Sequence, residues 1–104
     1  MSLEKINSIE YLKRIHRGGI QLILGKTDQK DLAFILSNAP KDIVNLFMNN
    51  VSKRLATKLE EDIVFYGEIS EGKIAEARSK FLDHVNRRLS TGEIAFLEPW
   101  NSCI

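Results

Sequence analysis

From Ser70 to Gly92, the residues Ile74, Ala77, Phe81, Leu82, Val85 and Leu89 follow i, i+3, i+4, i+7, i+8 spacing, which gathers side chains on one face of an α-helix. Ser70 stands where a cap is needed and Gly92 where a stop is needed: a serine hydroxyl accepts an orphan helix N–H, and glycine takes the left-handed conformation of a helix end without strain. A helix with one apolar stripe must bury it against another element. In a chain of 104 residues that element comes from the same short sequence. One compact domain over 1–104 is therefore expected, large enough to bury roughly two-thirds of its unfolded surface without disulfides or metal.

The rest of the chain supplies candidates. Ile6, Ile9, Leu12 and Ile15 recur every three residues, which predicts one stripe of a short helix over 6–16, ended by Gly18-Gly19. Two apolar runs follow, 20–24 and 32–36, which periodicity alone fits to helices or buried strands. Thr27 as an N-cap with Asp28 in the first turn favours helices. Pro40 is placed to occupy the first position of a helix carrying Ile43, Val44, Leu46, Phe47 and Met48, which Asn49-Asn50 ends. Ser52 caps the next helix, with Leu55, Ala56, Leu59, Ile63 and Tyr66 on one face and Gly67 closing it. After Gly92, residues 94–97 read as an extended tail that Pro99 keeps from becoming helical. The expected class is all-α, a compact bundle of about six short helices.

Composition excludes several functions. Fifteen basic against fourteen acidic side chains leave a net charge of +1, too little for affinity resting on phosphate neutralisation. The apolar share of 43% with 28% charged residues is that of a globular domain. Cys103 is the sole cysteine, so a disulfide framework is absent and a reducing compartment is expected. No apolar run reaches the roughly 20 residues needed to cross a bilayer. Residues 1–5 lack a secretory h-region and read as an appended or disordered lead, with 95–104 as a tail. A cytoplasmic location is the simplest expectation.

The helix over 52–66 carries charges in an unfavourable order. Lys53 and Arg54 occupy its first turn and Glu60, Glu61 and Asp62 its last, each sign at the end the helix dipole disfavours, at a few tenths of a kcal/mol apiece. Pairing of Lys58 with Glu61 and Asp62 offsets part of this, about 0.2–0.5 kcal/mol each. Arg54, Lys58 and Glu61 fall within about 60° of one another on the wheel, away from the Leu55, Leu59, Ile63 stripe. Such a ridge, positive then negative, suits a partner with the opposite pattern, although most charged helix faces are only solvated surface.

The wording of the sequence adds a further indication. Gly19-Ile20-Gln21-Leu22-Ile23-Leu24 with Thr27-Asp28-Gln29-Lys30-Asp31-Leu32-Ala33 resembles the opening helices of the FliG C-terminal domain. Asn49-Asn50-Val51-Ser52-Lys53-Arg54-Leu55-Ala56 is similar to that family's N-M-S-K/Q-R-A-A segment, and Leu59-Glu60-Glu61-Asp62-Ile63 with Gly67 to its L-x-D/E-D/E-L and closing G-P-V-R. Arg87-Arg88-Leu89-Ser90-Thr91-Gly92-Glu93-Ile94 is similar to R-R-L-x-x-x-G-E-I/M. The resemblance keeps one register from Gly19 to Ile94. It implies a six-helix unit beside an armadillo-type right-handed superhelix, in the C ring at the cytoplasmic face of the inner membrane. Its implied partners are the cytoplasmic loop of the stator protein MotA, the rotor protein FliM and neighbouring FliG subunits. Arg54, Glu61 and Asp62 match the family's stator-facing charges, with Lys58 as a helper. Two cations do not carry over: Ser37 and Ser70 stand where the family has lysine and arginine. The aromatic M-F-x-F hinge is not recognisable in 6–9. The resemblance therefore points to a divergent member, with a scaffold paralogue that does not meet the stator as the alternative.

Other candidates read plainly. His16 and His84 lack ligand spacing, so no metal is expected. Cys103 lacks basic neighbours and reads as an inert tail residue. Arg87 and Arg88 suit the end of a helix dipole. Glu60, Glu61 and Asp62, consecutive on a helix, point in different directions and make a poor cation site. No catalytic constellation or phosphate loop is present, so neither an enzyme nor a cofactor is expected. The rival class is a nucleic-acid-binding domain using Arg14, Arg17, Lys53, Arg54, Arg87 and Arg88, against which the charge balance argues.

Overall fold

The computed structural model describes residues 5–97. Six helical segments and no strand occur among them: a 3-10 helix Ile9–Arg14, then α1 (Arg17–Gly25), α2 (Gln29–Leu36), α3 (Lys41–Met48), α4 (Lys53–Tyr66) and α5 (Glu71–Thr91). The bundle is built around α2. Both α4 and α5 pack on it, and α3 packs on the 3-10 helix. Leu12, Ile23, Leu32, Ile35, Ile43, Phe47, Leu59, Phe81 and Val85 form the centre of a continuous apolar core, and the rings of Phe47 and Phe81 meet at 5.8 Å.

The α5 pattern is realised as expected: Ser70 Oγ accepts from the Lys73 amide at 3.3 Å, and Gly92 ends the helix in the left-handed region at φ 83°. Ile74, Ala77, Phe81 and Val85 are buried. The first segment differs in kind. Ile6, Ile9, Leu12 and Ile15 are all buried, but the helix between them is 3-10 and covers only Ile9–Arg14. A spacing of three is the 3-10 repeat of about 3.0 residues per turn.

Gly18-Gly19 does not end that segment. The chain turns at Ile15 and His16, and both glycines lie in the first turn of α1, where His16 Nδ1 accepts the Gly18 amide at 3.1 Å. Gly19 is there for space: an added Cβ would meet Cβ of Ile94 at 2.9 Å. Thr27 is not the cap of α2 either. Asp28 holds that position, without a side-chain capping bond, while the Thr27 hydroxyl turns back to donate to the Ile23 carbonyl at 2.8 Å. Pro40 sits one residue before its expected place, at the N-cap of α3; its fixed φ suits either position.

The tail is tied down through backbone bonds. Ile15 and Phe96 form an isolated antiparallel bridge, His16 donates to the Ala95 carbonyl at 2.8 Å and Leu97 to the Arg14 carbonyl at 2.6 Å. The expectations for residues 1–4, for Pro99 and for Cys103 lie outside the described residues.

Candidate protein-interaction surface

Helix α4 is fixed at both ends and along one side. Ser52 Oγ accepts the Leu55 amide at 3.1 Å, as an N-cap should, and Gly67 closes the helix at φ 62°, a conformation open mainly to glycine. Leu59 is fully buried. Tyr66 meets the ring of Phe34 in α2 edge to face at 5.2 Å. With Leu55 and Ile63 in the same packing, one side of α4 is committed to α2.

The other side carries the ridge. Arg54, Lys58 and Glu61 are exposed, and neither Arg54 nor Glu61 has an ion-pair partner among the described residues. The expected Lys58–Glu61 pair does not form. Lys58 pairs with Asp62 at 3.3 Å.

Asp62 departs furthest from expectation, for its side chain is only 15% exposed and Gln29 Nε2 of α2 donates to it at 2.7 Å. The Gln29 bond, and then Lys58, hold the Asp62 carboxyl below its ordinary range. It thus joins α4 to α2 in addition to making the expected pair with Lys58. Helix α4 ends at Tyr66 before Gly67, as expected, but the acidic triplet stands before its last turn and not in it. The dipole effect fades beyond the last turn, so the unfavourable order of charges costs less than the sequence suggests.

Sequence reasoning missed Gln29, because nothing local links it to a carboxylate 33 positions away. It also missed Val64 and Phe65, which are 80% and 82% exposed on the outer side of α4. Their signal was available: both fall off the Leu55, Leu59, Ile63 stripe.

Ser37 is buried, and the guanidinium of Arg78 from α5 donates to the carbonyls of Ile35 at 3.0 Å and Ser37 at 2.9 Å. A cation therefore sits at the end of α2, supplied by another helix and favoured there by the dipole. Ser70 is occupied in capping α5.

The chain as a whole matches a family model described as the FliG C-terminal domain over residues 3–96. It belongs to the FliG C-terminal domain family. The flagellar motor switch protein FliG of Thermotoga maritima is 29% identical over 85 residues, covering 82% of this chain and 25% of that protein. The FliG of Helicobacter pylori is 28% identical over 91 residues, covering 88% and 26%. Among solved structures, residues 116–343 of H. pylori FliG superpose with a TM-score of 0.80 at 27% identity, covering 85% of this chain and 39% of that one. Full-length FliG from Aquifex aeolicus gives 0.78 at 26% identity, covering 88% and 28%. The chain spans about a quarter of the length of these FliG relatives. The FliG of Aquifex aeolicus, likewise a flagellar motor switch protein, is 29% identical over 91 residues, covering 88% of this chain and 28% of that protein.

Within this FliG domain the remaining candidates are engaged by their own surroundings. Arg88 donates to His84 Nε2 at 2.7 Å and to Glu93 at 2.9 Å; burial, and then Arg88 and Arg87, push the His84 pKa down, which keeps the imidazole neutral and accepting. Arg17 donates to Asn50 at 3.3 Å and Arg14 lies over the Phe96 ring at 5.5 Å. Three of the six basic residues considered for nucleic acid are thus already used inside the domain. No group of three or more His, Cys, Asp or Glu side chains among the described residues could hold a metal. No helix there is long and apolar enough to cross a membrane.

Proposed function

We propose that this domain is a rotor component of a flagellar motor in which the outer face of α4 meets the cytoplasmic loop of the stator protein MotA and transmits torque and switching. The observation that carries the reading is the exposed row Arg54, Lys58, Glu61 on a helix whose opposite side is locked to α2. Charges held on a rigid element keep register under load, and exposed charges set register and encounter rate more than affinity. Arg54 and Glu61 are the contact charges, Lys58 assists, and Asp62 contributes mainly by holding the angle of α4. FliM and adjacent FliG subunits are the other partners, in the C ring at the cytoplasmic face of the inner membrane.

The test is swimming and reversal frequency in the bacterium carrying this gene, with Arg54→Glu and Glu61→Lys introduced separately and Asp62→Lys alongside. Impaired rotation with intact rotor assembly in the first two supports the role. Normal motility in both removes it. The serines at 37 and 70, one buried and one capping α5, favour a second reading, a scaffold that assembles into rotors without meeting the stator; normal motility in those strains would select it.

A further inference from the structure

The row Arg54, Lys58, Glu61 continues to Phe65. At about 100° per residue Phe65 falls in angle between Arg54 and Lys58. It lies in α4 beside Val64, and these two are the most exposed of the large apolar side chains among the described residues, at 82% and 80%. Tyr66 turns inward to Phe34, and the inner stripe of α4 is complete without either. Phe65 touches the edge of Tyr66 at 5.5 Å and otherwise faces outward. Single exposed apolar residues are ordinary. Two adjacent ones that end a row of charges are a different case.

Resting on the reading above, we propose that Phe65, flanked by Val64, is the apolar anchor of the same contact, and that the partner segment presents an acid opposite Arg54, a base opposite Glu61 and then an apolar socket. The span from Arg54 to Phe65 is about 16 Å at 1.5 Å per residue, three turns of one partner helix. Charge sets the direction of docking, and a desolvated aromatic supplies affinity that exposed charges do not. A second copy of this chain fits less well: antiparallel pairing of Arg54 with Glu61 would lay Phe65 against the polar Asn49-Asn50 turn, and parallel pairing would oppose like charges.

The experiment places Phe65→Ser and Phe65→Leu beside Arg54→Glu in the source bacterium, measuring torque, rotor foci and the melting of the purified chain. The expected result is a several-fold fall in torque for Phe65→Ser, recovery by Phe65→Leu, unchanged foci and unchanged melting. Normal torque in Phe65→Ser with impaired Arg54→Glu overturns the anchor and leaves the charged contact standing. Normal torque in both removes the contact itself. Loss of rotor foci in Phe65→Ser shows the pair to be covered inside the rotor and also overturns the proposal.

Discussion

A methyl group on Gly19 would stand 2.9 Å from Cβ of Ile94 and 3.2 Å from Cγ2 of Ile15, two side chains that are themselves buried. Neither can swing away as a flexible tip would. Gly19→Ala is therefore expected to destabilise the domain by about 1–3 kcal/mol, as overpacking does, although alanine favours helix over glycine by about 1 kcal/mol. Urea titration of the variant checks the sign. Asp62 supports a second expectation. Its folded carboxyl titrates lower than in the unfolded chain, so its contribution is full above the unfolded value of about 3.9 and is lost as pH falls through the folded one. Gln29→Ala removes the largest cause of that depression. The stability gap between Gln29→Ala and the parent should then be widest near neutrality and shrink as pH drops through the acid range, read from urea midpoints. A gap independent of pH would show that Gln29 does not act through the charged form. Asp62 was legible as a charge on α4, but not as a bond to α2, because that depends on which residue the packing of two helices brings opposite it.

At the scale of the element, α4 is an inward stripe and an outward row on one rod. Leu59→Ala, at a fully buried position, is expected to cost about 2–5 kcal/mol, whereas Val64→Ala, five residues along the helix, should stay within about 0.5 kcal/mol. Equal losses at the two sites would mean that α4 is packed on both sides. The difference follows from a period of about 3.6, and that is why α4 and α5 could be read from the sequence: helices of 14 and 21 residues repeat their pattern often enough to fix it. The eight-residue α2 and α3 repeat it about twice, and their starts were misplaced by one residue. The 3-10 helix was legible as a buried stripe but not as a helix type. Gly18-Gly19 misled because glycine can end a helix or admit a neighbour, and only the position of Ile94 decides between them.

At the scale of the molecule, the two ends of the described chain are joined to distant elements. The Ile6 amide donates to Asn86 Oδ1 at 2.8 Å and Asn86 Nδ2 donates to the Ile6 carbonyl at 2.9 Å, a reciprocal clamp across 80 positions. The clamp fastens the start of the described chain to α5, beside the burial of Ile6 and Ile9 in the core. Asn86→Ala leaves both Ile6 backbone groups without a protein partner in a half-buried place, which should cost about 1–3 kcal/mol. For a domain of this size each kcal/mol lowers the melting temperature by about 4–8 °C. The loss should come with faster hydrogen exchange at Ile6 and the 3-10 helix, while the α2–α4 contact keeps its protection. Asn7→Ala, an exposed neighbour, serves as the control and should change neither. If Asn86→Ala instead loosens α4 as much as the 3-10 helix, the bundle opens as a single unit, and the orientation of the charged row depends on the whole core rather than on α2 alone.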